Sequence, residues 1–428
     1  MTRRELLALA PAIPLLGGSR PPVSPVVISR CHSYREDVTA LLGRMFDQLG
    51  GLGGLVKGKT VTVKLNMTGS PALRLEGRPL GSTHYCHPAV VGALVHHLGQ
   101  AGARRIRMVE SAWATAAPLE EHMLDAGWNV RQLQRAARQV EFENTNGLGL
   151  GGKYSRVDVP GGAEIFPAYD LNHSYVDTDV LVSLAKLKEH ETCGVTLSLK
   201  NCFGNLPASI YGDDAGEHEP NEAPANGRYT VCHTGERQPS RSAPQEIDPA
   251  SPRDAGYRVP RITTEIVAAR PIHLAVIDGV ESMAGGEGPW IRNARPISPG
   301  LLIAGFNPVT TDAVATAAMG FDPRATRGTP PFENCDNTML LAEKLGVGAA
   351  DLDRIEVRGL TLREATVPFS VQPISAGAGP SASENRRSGG APHGVADPRG
   401  VSRPLTGPRG VPKPVVFQSI LEFVPAVR

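Results

Sequence analysis

Closely spaced cysteines are missing from this sequence of 428 residues. It contains six cysteines, but no two of them form a C-x-x-C pair: they are Cys31, Cys86, Cys193, Cys202, Cys232 and Cys335. A zinc ribbon or a ferredoxin-type iron–sulfur cluster draws its ligands from such pairs or runs. The sequence therefore lacks the local signature of either centre, and isolated buried thiols are the simpler interpretation.

Aromatic residues are scarce at 5%, and neither sign of charge is in excess, because 44 Lys and Arg residues face 43 Asp and Glu residues. Proteins that bind nucleic acid usually present a basic surface or aromatic stacking platforms. Apolar runs long enough to cross a bilayer as a helix are also missing. We therefore expect no nucleic-acid partner and no stable membrane span.

Familiar catalytic motifs are absent as well. The chain has no G-x-S-x-G nucleophile elbow and no H-E-x-x-H zinc helix, and the glycine-rich loop at residues 285–288 has neither the P-loop lysine pattern nor the dinucleotide-binding spacing. A serine hydrolase or a zincin therefore has no motif support. The glycines at 285, 286 and 288 would let backbone amides approach a ligand, but a lone glycine-rich loop is a weakly specific pattern.

The N-terminal segment is a candidate targeting signal. Arg3 and Arg4 precede a short apolar run from Leu6 to Leu16, and this order resembles a twin-arginine export signal. Glu5 and the lack of a small-x-small cleavage site favour the alternative, an ordinary amphipathic segment of a cytoplasmic protein. We predict export, with residues 1–23 as the signal and a periplasmic or other extracytoplasmic destination.

Short β-rich runs alternate with segments of helical periodicity from about residue 24 onward. This alternation predicts the α/β class, with an open, mainly parallel sheet built of βαβ units. We expect the core in two parts, 24–207 and 263–368, interrupted by a polar loop insertion over 208–262. Residues 369–428 are predicted to be a disordered, low-complexity tail with a possible terminal strand.

The stretch from Asp179 to Pro207 concentrates the candidate functional side chains. If a strand runs from Val180, then Lys186 and Lys188 share one face near its carboxyl end, where open parallel sheets bind ligands. Two neighbouring ammonium groups favour a phosphate or a carboxylate. The alternative is that these lysines are only the solvated end of a strand. His190 follows as an acid/base candidate.

Other polar residues are predicted to reach the same edge of the sheet. Lys64 and Asn66 lie late in a strand that begins at Thr60, and Glu110 ends the next one. Glu110 would be a general base or merely a neighbour of a helix start. Lys200 and Asn201 lie on a short helix that follows the lysine-rich strand, and Lys200 is a second catalytic candidate.

Oxygen ligands for a divalent cation are predicted in the sequence that follows the insertion. Asp278 ends an apolar strand, and Glu281 and Glu287 flank the glycine-rich loop. Carboxylates in such a place suit Mg²⁺, Mn²⁺ or Ca²⁺. His84, Cys86 and His87 form a weaker candidate for part of a metal site, because nearby histidines are common without metal.

Several segments together resemble the domain of unknown function 362 family: VTVKLNM, THYCHPAVV, VLVSLAKLKEHETCGVTLSLKNCFG, AVIDGVESMAGGEGP and PGLLIAGFNPVTTDAVATAAMGFDP. The likeness covers roughly Ser24 to Gly359 apart from the insertion. This resemblance implies a fold and no settled reaction. Some members carry ferredoxin-type cluster motifs, which are absent here. More distantly, the organisation resembles the nickel-pincer lactate racemases, which is an analogy of fold alone.

We predict an exported enzyme that acts on a small anionic substrate, although its reaction class is not assignable. Its predicted catalytic residues are His190, Glu110 and Lys200; its substrate-binding residues are Lys64, Asn66, Lys186, Lys188 and Asn201; and its divalent-metal ligands are Asp278, Glu281 and Glu287. One alternative is a non-catalytic binding protein. The other is a metal or redox protein that uses His190 with Cys193, Cys202 and Cys232.

Overall fold

An eight-stranded sheet forms the centre of the computed structural model, which describes residues 20–147 and 154–369. The strands of the chain are β1 (Val26–Arg30), β2 (Thr60–Lys64), β3 (Arg105–Glu110), β4 (Val140–Asn144), β5 (Tyr154–Asp158), β6 (Ala168–Asn172), β7 (Val180–Lys186), β8 (Glu189–His190), β9 (Gly194–Val195), β10 (Leu274–Gly279), β11 (Ser282–Ala284), β12 (Arg295–Ile297), β13 (Leu301–Gly305) and β14 (Val357–Gly359).

The sheet is mainly parallel. Its order is β14-β1-β13-β10-β7-β2-β3-β4, and β13 alone runs against the others, antiparallel to β1 and β10. The remaining neighbours pair in parallel. The predicted α/β class with a mainly parallel sheet is confirmed.

Helices cover both faces of the sheet. They are α1 (Val38–Gln48), α2 (Gly53–Val56), α3 (Pro88–Gln100), α4 (Leu119–Asp125), α5 (Val130–Gln134), α6 (His173–Val176), α7 (Leu197–Asn201), α8 (Ala208–Tyr211), α9 (Ala255–Ala269), α10 (Pro308–Ala318), α11 (Thr338–Lys344) and α12 (Leu362–Ala365). One hydrophobic cluster contains α1 and α3, and a second contains α7, α9, α10 and α11.

Strand β7 separates these two clusters and is buried on both faces. Val182 and Leu184 pack into the cluster with α1 and α3, whereas Leu181 and Ala185 pack into the other. Side chains alternate across a strand, so an apolar run without polar positions buries both faces at once. A lysine at the end of such a strand must find a partner inside the protein.

The chain order creates a switch point between β2 and β7. Strands β2, β3 and β4 follow one another outward, and the chain then returns to place β7 on the other side of β2. The loops that leave the carboxyl ends of β2 and β7 therefore diverge. In open parallel sheets this divergence leaves a crevice in which ligands bind.

Two boundaries differ from those the sequence predicts. Strand β2 ends at Lys64 and β7 ends at Lys186, so Asn66 and Lys188 lie in the loops beyond the strand ends. The region from Val140 to Asn144, for which the sequence analysis predicts no element, forms the edge strand β4.

The predicted loop over 208–262 is wrong at its C-terminal end, because α9 begins at Ala255. Pro260 lies inside this helix and cannot donate to the oxygen of Gly256. That oxygen accepts a hydrogen bond from the amide of Asp336 instead, at 2.8 Å. Buried Arg258 pairs with Glu246 from the preceding loop. Val259, Ile262 and Ile266 have the spacing of one buried helix face, so the sequence does carry a signal for this helix.

The predicted export signal around Arg3 and Arg4, the low-complexity tail and its possible terminal strand lie outside the described residues. They stay predictions. Within residues 20–147 and 154–369, no helix combines the length and the hydropathy that crossing a membrane requires.

Candidate functional site

A cavity of about 430 Å³ opens beyond the carboxyl ends of β2, β3 and β7. This position is the switch point of the sheet. Most of the residues predicted from the sequence line this cavity: Lys64, Asn66, Glu110, Lys188, His190, Lys200, Asn201 and Glu287. The structure thus brings together side chains from segments that are far apart in the chain.

Lys64 and Glu110 form an ion pair on the cavity wall. Lys64 Nζ lies 2.6 Å from Glu110 Oε1, and both side chains are buried. Lys64 also donates to its neighbour's backbone oxygen, and Glu110 accepts from the amides of Met67 and Ser111 at 2.9 and 3.0 Å. Each charge is therefore balanced within the protein. This geometry favours a structural pair over the predicted anion ligand and general base.

Two asparagines connect this pair to α7. Asn201 Oδ1 accepts from Lys64 Nζ at 3.3 Å and from Asn66 Nδ2 at 3.1 Å, while Asn201 Nδ2 donates to Ser183 Oγ at 3.0 Å. Asn66 Oδ1 is buried and has no hydrogen-bond partner in the described part of the chain. A buried acceptor without a partner costs free energy, and a donor on a ligand would remove that cost.

Lys200 is another cation that lines the cavity. Its side chain reaches in from α7, it is 9% exposed, and its Nζ lies 4.2 Å from the ring centroid of Phe203. Within the described residues the ammonium has no hydrogen bond or ion pair. Burial lowers the pKa of Lys200, and the charges of Arg228 and Lys64 act in the same direction, against Cys193 and Glu287.

Lys188 is fully buried, and its acceptors in the described part of the chain are neutral. Its Nζ donates to the backbone oxygens of His84 at 3.0 Å and Glu287 at 2.8 Å. Burial disfavours the ammonium form and lowers the pKa of Lys188 to about 7, although the nearby Glu287 carboxylate opposes the change. At neutral pH this lysine therefore exchanges between its ammonium and amine forms.

His190 and Glu287 complete the polar lining. Burial, with a contribution from Lys200, lowers the pKa of His190 well below its usual value, so the imidazole is neutral. His190 Nδ1 accepts from the Thr192 amide at 3.2 Å, which assigns the imidazole proton to Nε2. Burial would raise the pKa of Glu287, but the hydrogen bonds that its carboxylate accepts from the Glu191 amide and the Trp290 indole act in the opposite direction and favour the carboxylate form.

The insertion supplies part of the cavity as well. Arg228, Tyr229 and His233 line it from a single π-helical turn, Tyr229–His233, and the residue before it. Arg228 Nε donates to the Leu206 oxygen at 2.7 Å, and its Nη2 donates to Ser111 Oγ. Burial lowers the pKa of His233 to about 4.

Three predicted residues do not line the cavity: Lys186, Asp278 and Glu281. Lys186 Nζ lies 3.0 Å from Asp278 Oδ2, and both side chains are fully buried. Tyr34 contacts both groups through its hydroxyl, at 2.8 Å from each. Asp278 also accepts from the amide of His87 at 2.8 Å. Lys186, Asp278 and Tyr34 therefore form an internal brace between strands. Because Asp278 neutralises the charge of Lys186, this lysine is not placed to bind substrate as predicted.

The predicted metal ligands do not converge. Among residues 20–147 and 154–369, no group of three or more His, Cys, Asp or Glu side chains is arranged to hold a metal ion. Asp278 belongs to the brace with Lys186, whereas Glu287 lies at the cavity. Burial also raises the pKa of the thiols in the cysteine alternative to about 12, for Cys193, Cys202 and Cys232, although metal binding requires thiolates.

The predicted site residues did not include two tryptophans that line the cavity, Trp113 and Trp290. The scarcity of aromatic residues in the sequence led only to the prediction that the protein does not bind nucleic acid. A usable signal was present, because Trp290 follows the glycine-rich loop directly and Trp113 follows the strand that ends at Glu110.

Comparison with known proteins gives a family match and distant relatives. The family model described as "Domain of unknown function (DUF362)" matches residues 61–317. The thylakoid-associated protein sll1697 of Synechocystis sp. is 27% identical over 190 residues, which are 44% of this chain and 52% of that protein. The chain therefore matches about half the length of this curated relative.

Two solved structures share a broad likeness. The lactate racemase apoprotein from Thermoanaerobacterium thermosaccharolyticum aligns with a TM-score of 0.33 and 12% identity, over 64% of this chain and 54% of that one. A protein from Thermotoga maritima aligns with a TM-score of 0.34 and 15% identity, over 63% and 55%. Neither likeness carries an argument about activity.

Proposed function

The chain belongs to the DUF362 family, which implies no reaction, and we propose from the cavity itself that it is an enzyme acting on a small anionic substrate. The anionic group would be a carboxylate or a phosphate held by Lys200. The observation that carries this proposal is the Lys200 ammonium, which is buried at the cavity and has no anionic or hydrogen-bonding partner in the described residues.

The balance of charge supports an anion. Lys64 and Glu110 cancel one another at 2.6 Å. The cations that remain at the cavity are Lys200, Arg228 and the protonated fraction of Lys188, and Glu191 and Glu287 oppose them. Charges interact more strongly in a partly buried site than in water. A cavity of about 430 Å³ also has the size of a small-molecule site.

Two residues suit proton transfer on the bound anion. The pKa of Lys188 near 7 lets the same group donate and accept protons at neutral pH. Neutral His190 would donate a hydrogen bond from Nε2, because the Thr192 amide occupies its Nδ1. We therefore assign the acid/base step to Lys188 and the polarising hydrogen bond to His190, in place of the role first predicted for the histidine.

Ligand-observed NMR titration of acetate and inorganic phosphate tests this proposal. The titration measures the affinity of each anion for the purified protein and for Lys200→Met. Removing a charge-assisted contact costs about 1.5–3 kcal/mol, so we expect affinity to fall by at least about tenfold. Lys344→Met, at an exposed position in α11, is the matched control and should bind as the unmodified protein does.

The same titration repeated across pH tests the role of Lys188. Its ammonium is lost as the pH rises through about 7, so anion affinity should fall over that range, and Lys188→Met should lack this step. Equal affinities in Lys200→Met and the unmodified protein, or no anion binding at all, would contradict the proposal.

A further inference from the structure

Exposed aromatic side chains surround the mouth of the cavity. Trp113, Tyr229 and Trp290 all line it, and they are 47%, 59% and 45% exposed. The cations of the same cavity lie deeper, since Lys188 is fully buried and Lys200 is 9% exposed. The site therefore has an aromatic rim, formed by Trp113, Tyr229 and Trp290, above a cationic floor.

Trp290 is held in place by contacts on several sides. A Cβ atom on Gly69 or Gly288 would lie 2.4 or 2.2 Å from its ring atoms, so both glycines leave the space that the indole fills. The indole Nε1 donates to Glu287 Oε1 at 3.1 Å. His84 contacts the indole edge to face, with ring centroids 6.0 Å apart. An exposed ring held in this way is preorganised to contact a ligand.

The other two rings are also supported from behind. Tyr229 stacks on His233, with ring centroids 5.5 Å apart and planes 22° apart. Trp113 lies against the insertion, where a Cβ atom on Gly227 would be 3.5 Å from its Nε1. The insertion therefore supplies one ring of the aromatic rim and a support for another.

We propose that the substrate of this site is an anion carried on a planar aromatic ring, with the ring against the aromatic rim and the carboxylate or phosphate on Lys200. This inference rests on the proposed function and names its substrate class. Aromatic pairs attract one another beyond the burial of their area, so the rim favours a flat π-system over an aliphatic group of equal size. Both aryl acids and nucleotides share this chemistry.

Ligand-observed NMR titrations with benzoate, cyclohexanecarboxylate and acetate test the ring directly. Benzoate and cyclohexanecarboxylate share a charge and a similar size, but only benzoate has an aromatic face. We expect benzoate to bind about tenfold more tightly, which corresponds to about 1.4 kcal/mol. Trp113→Leu and Trp290→Leu should each reduce this preference. Leu124→Ala, at an exposed apolar position away from the cavity, should retain it.

Phenyl phosphate and adenosine monophosphate distinguish the two sources of the ring. Tighter binding of the nucleotide would identify a nucleotide-type substrate, and no gain over phenyl phosphate would identify a simple aryl acid. Equal affinity for benzoate and cyclohexanecarboxylate, with both dependent on Lys200, would overturn the aromatic substrate and leave the proposed function intact. If none of the anions binds, the proposed function fails and this inference fails with it.

Discussion

Four lysines that look equivalent in the sequence have four different environments. Lys64 pairs with Glu110, and Lys186 pairs with Asp278. Lys188 donates to backbone oxygens alone, and Lys200 has no polar partner in the described residues. The cost of burying a charge depends on its partners. The two unpaired lysines are therefore those we assign to function, and the two paired ones stabilise the fold.

Replacing a paired and an unpaired lysine by methionine should have opposite effects on stability. Lys186→Met leaves the buried Asp278 carboxylate without its cation, and breaking such a pair typically costs about 3–5 kcal/mol. Lys200→Met removes a buried cation that has no counter-ion, so the free energy of unfolding should stay equal or rise. Urea unfolding of both variants measures this difference. Equal losses of stability would contradict the distinction between the two lysines.

Among the elements, α7 determines where Lys200 lies. It has only five residues, and its first residue, Leu197, has a positive φ of 45°. Asp312 from α10 holds its start, because its carboxylate accepts from the amides of Ser198 and Leu199, both at 2.9 Å. Asp312 does not cap its own helix, because Asn307 does so. The sequence shows the carboxylate near a helix start but not which helix it caps.

Asp312→Ala should destabilise the protein and weaken anion binding together. The substitution leaves two buried N–H groups of α7 without acceptors, at about 1–3 kcal/mol each, and releases the segment that carries Lys200. Asp312→Asn keeps one acceptor oxygen and should therefore lose less stability and less anion affinity. Urea unfolding and acetate titration measure the two effects. A stable Asp312→Ala protein that binds acetate normally would show that α7 is positioned by packing alone.

At the scale of the whole molecule, buried histidines determine the response to acid. Burial lowers the pKa of His84, His87, His122, His190, His233 and His273, to about 4 or below for several of them. Between pH 6.5 and 4 the unfolded chain therefore binds more protons at these sites, and stability falls as the pH falls. Glu189, Glu265 and Asp312 act oppositely, since burial raises their pKa values.

The six histidines outnumber these three carboxyl groups, so acid should destabilise the protein overall. We expect the free energy of unfolding to fall between pH 6.5 and 5, by about 1.4 kcal/mol per pH unit for each net proton. His84→Phe should reduce this slope, because it removes one of the six histidines that take up a proton on unfolding. Phenylalanine suits the position because the Nε2 of His84 is buried without a partner among the described residues. Urea unfolding at several pH values measures the slope. Stability that is constant or rises on acidification would contradict it.

The sequence by itself determined the α/β class and the edge of the sheet where the site lies. Both follow from local patterns, since the βα alternation sets parallel strands and a polar residue after an apolar strand falls at its carboxyl end. Only the tertiary structure decided which charges pair. Lys64 meets Glu110, and Lys186 meets Asp278, across neighbouring strands whose order the local pattern does not specify. It also decided the aromatic rim, because Tyr229 of the insertion comes to the same cavity as Trp113 and Trp290 only when distant segments pack together.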